Sequence, residues 1–392
     1  MPIHPSTGSN CDLLVIGGGI MGTFYAYHAL QRGLRVILLE RNAQPENATV
    51  RNFGQIVPSG LDDTWQPMGR ESLAIYQSLQ SQTDLTVRQN GSYYIASDDE
   101  ECTLLEELHA RNQSTGYQSE LWTAKQCLSQ FPSLQPSYCK AALYFPEELS
   151  VDPRQMIHRL QSHLAKRDGF KASFNTLVQR LESNSGHVEA ITSNGHRFTA
   201  SRAILCGGAD FQTLFPEVFA RSGMQLCKLQ MLRLAPQPQC VLPGNILTGW
   251  SIRRYESFSQ CPSWNEIQSR DEAASDRKRW GLHILFKQES DGSIIVGDSH
   301  EYTSADQPNA LSFEIRSDIN AAILREAQRI MQLQNWQMES TWYGIYSQTK
   351  DPAGIFCHSV APNIHITTGI GGKGMTSSAG FTRRHLSEIY DD

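Results

Sequence analysis

Three glycines at positions 17, 19 and 22, within Gly17-Gly18-Gly19-Ile20-Met21-Gly22, and the glutamate at position 40 have types and spacing that could do chemistry. Gly17 suits a tight turn. Gly19 lets backbone approach a pyrophosphate, and Gly22 lets a following helix pack close to the preceding strand. The start of that helix, Ile20 and Met21, then faces the phosphates. The Glu40 carboxylate, about twenty residues further on, is placed for the ribose hydroxyls of an adenosine, with Arg41 beside it. Specific elements must hold these residues in place. The run DLLVI at 12–16 reads as a strand buried on both faces. Residues 23–32 read as a helix with Ala26, Ala29 and Leu30 on one face and Gly33 as its C-cap. A second buried strand is expected over 34–39. The unit predicts a bound dinucleotide but does not separate NAD from FAD.

Two distant segments bear on that choice. Residues 198–210, FTASRAILCGGAD, read as a polar lead, an apolar strand over 203–206 and a turn at Gly207-Gly208-Ala209. This is the pattern of a later strand returning beside the first, or else an ordinary strand and turn. Residues 364–368 read as a strand, Gly369-Ile370-Gly371-Gly372-Lys373-Gly374 as a glycine-rich turn, and 375–389 as a helix. Such a turn aims backbone N–H groups at an electron-rich group. Here that group would be the N1 and O2 edge of a flavin, where negative charge develops on reduction, so FAD is expected.

With these landmarks stand ATVRNFGQIVPSG (48–60) and SVDP (150–153). Together they resemble the glycine oxidase, sarcosine oxidase and D-amino-acid oxidase (DAO) superfamily over almost the whole chain. VRNFGQIVPSG, DGSIIVGDSHEY (291–302) and GGKGMT further resemble a bacterial branch associated with aminophosphonate catabolism. The resemblance implies an α/β fold. A Rossmann-like FAD-binding domain, discontinuous over 1–85, 150–215 and 340–392, is interleaved with a substrate domain over 86–149 and 216–339 on a mostly antiparallel sheet. Residues 89–97 read as a strand of that sheet, and 280–286 with 292–298 as a hairpin. The polar stretch 255–279 is either a lid or a surface insertion.

The implied reaction is oxidation of a C–N bond in a small amine by hydride transfer to flavin N5, followed by hydrolysis of the imine. The cofactor carries the difficult chemistry, so the lack of a Ser-His-Asp or metal constellation is expected. The segment 342–351, WYGIYSQTKD, matches the one in which glycine oxidase carries an arginine for the substrate carboxylate, and Tyr346 stands in its place. A tyrosine hydroxyl cannot form the bidentate guanidinium pair. That favours another anion, such as the phosphonate of an N-methyl-2-aminoethylphosphonate, which would give phosphonoacetaldehyde and an amine. Tyr346 also reads as an aromatic filler. The alternatives are a glycine- or sarcosine-type amino-acid oxidase and a flavin-binding subunit without turnover. The intact flavin-facing turn and the polar loop at Asn52 argue against the latter.

Cofactor contacts are expected from the landmarks above together with Asn52, Gly54, Gln55, Val178, Gly207, Gly208, Gly371, Gly372, Gly374, Met375 and Thr376. Arg51 reads as a ligand for FAD phosphates or as local structure. Lys373 would stabilise reduced flavin, meet substrate, or lie at the surface. Substrate candidates are Gln55, Arg233, Trp250, His283, Tyr346 and Lys373, with Arg253 or Arg254 as further cations and His300 beside His283 in the hairpin. Each histidine, and Trp250, also reads as structural packing. No cysteine lies between 286 and 356, where sarcosine oxidases attach FAD, so non-covalent FAD is expected. Ile295 stands where those enzymes carry an oxygen-activating lysine. Glycine oxidase lacks that lysine too, so O2 and another electron acceptor both remain open.

A chain of 392 residues is more than one core usually organises. Hydrophobic residues at 40% and charged residues at 19% fit a globular protein. The formal charge of -6, with no basic stripe, gives no attraction to nucleic acid or anionic membrane. The first ten residues are polar, with no leader pattern, and a cytoplasmic location is expected. Nine scattered cysteines without a CxxC suggest neither a disulfide framework nor a zinc site. Oligomeric state is left open.

Overall fold

The computed structural model of the chain describes residues 9–270 and 276–391. The polar start of the chain, apart from its last two residues, and part of the 255–279 stretch therefore lie outside the described residues. The fold is α/β with two large mixed sheets. In the first, Ile364–Thr368, Arg197–Leu205, Ser9–Ile16, Val36–Leu39 and Phe170–Ser173 lie side by side and parallel, with Phe356–Ala361 antiparallel at one edge. Leu13, Leu14 and Val15 in the central strand are wholly buried, because helices cover one face and a hairpin with the second sheet's approach covers the other. The expected return of the later strand is present: Val15 pairs with Ile204 and Ile16 with Leu205.

The helix Ile20–Gln31 leaves directly from the glycine turn and is buried along nearly its whole length. It ends in a Schellman motif, with Gly33 at φ 77° donating to the Leu30 carbonyl (3.0 Å) and Leu34 to that of Ala29 (3.0 Å). The C-terminal helix Gly374–Asp391 packs against it, and His28 bonds the Ala379 carbonyl at 2.8 Å. On its other side lies the helix Gln66–Gln82. There Gly380 comes so close that a Cβ would stand 2.2 Å from the Met68 carbonyl oxygen.

The second sheet runs Glu301–Ser304, Gln225–Leu234, Ile294–Gly297, Leu285–Gln288, Asn245–Thr248, Ser92–Ala96, Ala141–Phe145 and Glu120–Thr123. Its pairings are antiparallel except between Asn245–Thr248 and Ser92–Ala96. The expected hairpin forms with Leu285 opposite Gly297. The strand Met338–Gln348 falls in the stretch assigned from sequence to the cofactor domain, yet it pairs with Gln225–Leu234 along its length. It enters the first sheet's territory only at its end, where Gln348 bridges to Ile370 and Thr349 donates to the Gly369 carbonyl (3.1 Å). The part of the polar stretch from 255 to 270 is packed down rather than free. Phe258, Cys261 and Ile267 are buried in the core shared with Leu104, Leu105 and Leu108.

Candidate functional site

A cavity of about 700 Å³ runs from the first glycine turn to the face of the second sheet. At one end Gly17 adopts φ 106°, and a Cβ there would stand 2.3 Å from the Cys206 carbonyl oxygen. Gly22 is as tightly placed, 2.0 Å from the Gly17 carbonyl oxygen. Gly19 differs. A Cβ there would meet only Thr49 Oγ1, at 3.1 Å, so its open side faces the cavity. The Thr49 hydroxyl accepts from the Ile20 N–H (3.0 Å) and fixes the helix start. Glu40 is buried, and its carboxylate accepts from the N–H groups of Gly18 (2.7 Å) and Asn42 (3.0 Å) while lining the cavity. Arg41 reaches Asp210 at 2.6 Å across the rim. Burial raises the Asp210 carboxyl, but the Thr213 hydroxyl, two backbone N–H groups and Arg41 outweigh it and leave the pKa below the usual range. Val178 and Gly207 complete this end, and Gly208 accepts from the hydroxyls of Ser347 (2.9 Å) and Thr368 (2.7 Å).

The middle of the cavity lies between two loops. On one side Asn52 donates to the Ala48 and Thr49 carbonyls and accepts from the Gly54 N–H (2.7 Å), so its side chain is used in shaping the loop. Gly54 adopts φ 72° and passes close to Val151. Gln55 follows, buried, with its Nε2 unpartnered among the described residues. Facing them are Ile370, Gly371, Gly372, Lys373, Gly374, Met375 and Thr376, at the start of the C-terminal helix. An open glycine at the phosphate position, an unspent amide donor in the middle and a helix N-terminus opposite fit FAD. Lys373 lines this part but turns its ammonium toward Glu256 (3.3 Å) and the Trp65 ring (5.4 Å).

Beyond lies a polar chamber that four chain segments build. Arg254 donates to the Tyr302 hydroxyl (3.0 Å). His283 Nε2 sits 2.6 Å from Asp298 Oδ1, and its Nδ1 is 3.3 Å from the Ser251 hydroxyl. His300 Nδ1 lies 3.0 Å from the Gly281 carbonyl oxygen and 3.7 Å from Asp298 Oδ1. Tyr255 stands edge-on to His283, and Tyr346 completes the wall. Burial raises the Asp298 carboxyl, yet His283 and Arg254 outweigh it and hold it below its ordinary value, so it is an anion. Burial first, then Arg254, push His300 down to about 3, so its imidazole is neutral. The chamber lining thus holds both a cation and an anion. His283, Asp298 and His300 are close enough to share a metal ion, but the Arg254 guanidinium beside them opposes a further cation.

Several residues singled out from sequence lie elsewhere. Arg233 pairs with Asp291 and Glu339 in a separate, smaller cleft beside Arg154 and Trp342. Trp250 packs against the core of the second sheet. Arg51 is spent on the carbonyls of Glu46 and Tyr343. Arg253 is tied to Asp98, Glu100 and Glu101, leaving Arg254 as the arginine of that pair in the cavity wall. Asp298, Tyr302 and Tyr255 were missed. The one sequence signal for the first was a polar Asp-Ser-His directly after the apolar IIVG.

A family profile described as FAD dependent oxidoreductase (DAO) matches residues 12–384. The monomeric sarcosine oxidase of Streptomyces avermitilis is 27% identical over 201 residues, covering 50% of this chain and 52% of that one. The bifunctional protein ThiO/ThiG of Nostoc sp. is 23% identical over 374 residues, covering 91% of this chain and 49% of that one. In these alignments the chain spans about half the length of its curated relatives. Among solved structures, glycine oxidase from Geobacillus kaustophilus superposes with a TM-score of 0.77 over 98% of this chain and 95% of that one, at 16% identity. A likeness at that identity speaks for the fold.

Proposed function

Because this chain belongs to the FAD dependent oxidoreductase (DAO) family, we propose that it oxidises the C–N bond of a small zwitterionic amine, using the polar chamber as its substrate site. The observation that carries this reading is the presence of Arg254 and Asp298 in the lining of one cavity, the first a cation and the second held as an anion. A guanidinium anchors the substrate's anion and a carboxylate receives its ammonium group. When bound, FAD would supply the acceptor for the hydride that leaves the substrate carbon. The chain supplies the rest. The turns at Gly17 and Gly371 hold the cofactor, Arg254 and the hydroxyls of Tyr302 and Tyr346 fix the anion, and Tyr255 and Leu285 narrow the chamber. Water then hydrolyses the imine to a carbonyl compound and an amine.

The finer reading is an aminophosphonate, of the N-methyl-2-aminoethylphosphonate type. Its support is the density of donors around the anion position, where Arg254, Tyr302 and Tyr346 converge, together with the phosphonate-branch motifs. A glycine- or sarcosine-type amino acid is the second reading, supported by the single guanidinium and by the sarcosine oxidase relative. Cofactor and substrate domains divided as the sequence suggests, apart from the strand Met338–Gln348, together with non-covalent FAD and a cytoplasmic location, belong to the same proposal. No helix among the described residues is long and apolar enough to cross a membrane. Anaerobic bleaching of the bound flavin across amines, amino acids and aminophosphonates tests it. Fastest bleaching by an aminophosphonate supports the first reading, and equal or faster bleaching by sarcosine or glycine replaces it with the second. A spectrum that no amine bleaches would overturn both.

A further inference from the structure

Hydride can leave the carbon of an amine only when nitrogen has a lone pair to give, yet a small zwitterion enters near neutral pH as an ammonium. Something must take that proton. His300 has the geometry to do so. Its Nδ1 faces the Gly281 carbonyl oxygen at 3.0 Å, and since a carbonyl only accepts, Nδ1 carries the hydrogen and Nε2 carries the lone pair. Nε2 makes no hydrogen bond to the described residues, and the ring lines the cavity. His283 cannot play this part as readily, because both its nitrogens are engaged, by Asp298 and by Ser251.

We propose that His300 Nε2 accepts the proton of the substrate ammonium, with Asp298 stabilising the imidazolium that results. This rests on the reading of the chamber as the substrate site. The step is a plain proton transfer. The N–H bond of the ammonium breaks, an N–H bond forms at Nε2, the nitrogen keeps its electron pair, and the two electrons of the later C–H cleavage go to FAD. Asp298 Oδ1, 3.7 Å from Nδ1, compensates the new charge.

The charged and titratable groups facing His300 come from several elements. Asp298 precedes it, His283 is across the hairpin, Arg254 projects from the segment after the short helix Gly249–Ile252, and Tyr302 stacks beyond it. Burial does most to hold the imidazole neutral, and Arg254 is the chief cationic influence added to it. A substrate anion seated on Arg254 cancels that influence, so the base gains strength when substrate is in place.

His300→Asn is the informative variant, because its side-chain amide can keep the bond to the Gly281 carbonyl while removing Nε2. Using holoenzyme under anaerobic conditions with the best amine of the panel, flavin reduction by His300→Asn is expected to slow at pH 7 by roughly a hundredfold or more. It is expected to recover as pH rises toward the amine's own pKa, where the free amine needs no base. A purely structural defect would not recover. A second readout needs neither turnover nor a variant. In holoenzyme carrying 15N-labelled histidine, an analogue with no hydrogen on the reacting carbon should move one imidazole Nε2 resonance away from its free lone-pair position. Equal rates for wild type and His300→Asn at every pH, or no moving resonance, would overturn the assignment of the base while leaving the proposed function standing. A wild-type flavin that no amine reduces would instead remove the proposed function.

Discussion

The Gly18 N–H donates to the Glu40 carboxylate at 2.7 Å, so the acid expected to hold a ribose also ties the glycine turn to the end of the second strand. Glu40→Ala should therefore loosen the turn and remove a cofactor contact together. FAD content, read as the ratio of flavin to protein absorbance, should drop several-fold. Full occupancy in this variant would separate Glu40 from the cofactor.

Gly17 and Gly19 should behave differently. Alanine at 17 would need φ 106° and would press on the Cys206 carbonyl, so it should lower stability by at least ~1 kcal/mol, visible as a reduced Tm of the apoprotein. At 19 an added Cβ meets only the Thr49 hydroxyl and faces the cavity, where the branches of a valine would project. The substitution should leave apoprotein Tm nearly unchanged while blocking pyrophosphate approach and FAD retention.

FAD should come away intact on acid precipitation. Cys206 is the one cysteine lining the cavity, and burial holds its thiol well above its usual pKa, so it is a poor nucleophile. Cys357, likewise pushed up to about 12 by burial, does not line the cavity. Yellow colour remaining in the washed pellet would contradict this.

Removing the guanidinium with Arg254→Met should reduce kcat/KM for the anionic amine by about ten- to a hundredfold, the cost of a charge-assisted pair. The same change should barely affect an uncharged amine of similar size. Equal losses on both would mean that Arg254 shapes the chamber without reading charge.

Glu148 gives a pH signature. It is fully buried, accepts from the Ser59 N–H and the Tyr117 hydroxyl (both 2.8 Å), and burial raises it to about 7 from 4.5. The folded state thus binds more protons than the unfolded one between these values, so this residue makes stability fall as pH rises from about 4.5 to 7. The full cost, on the order of 3 kcal/mol, applies above that window. Glu148→Gln should flatten the Tm profile there, and an unchanged slope would remove Glu148 as its source.

The glycine turn, its strands and the C-terminal turn were legible because each is local, with spacing that reports its own geometry. Of the chamber, Arg254, His283, His300 and Tyr346 were legible as separate candidates, but their convergence was not, because it gathers residues from 254 to 346 through sheet register. Cys227 pairs with Tyr302 on one side and Tyr346 on the other, which no periodicity announces. Arg233 illustrates the limit. It shares a strand face with Cys227 and Leu229, but six residues of strand carry it about 20 Å away, to a different cleft. The resemblance places residues from 340 on with the cofactor domain, although most of the strand Met338–Gln348 pairs in the other sheet and only its end reaches the cofactor turn.

That strand is also a ruler. Over 11 residues it carries Tyr346 in the chamber wall and, one residue on, the Ser347 hydroxyl, which accepts from the Gly369 N–H at 3.2 Å. Adjacent residues of one peptide therefore set the gap between anchor and cofactor turn. A displacement of the chamber wall at Tyr346 is therefore passed to the glycine-rich turn through one peptide bond and one hydrogen bond.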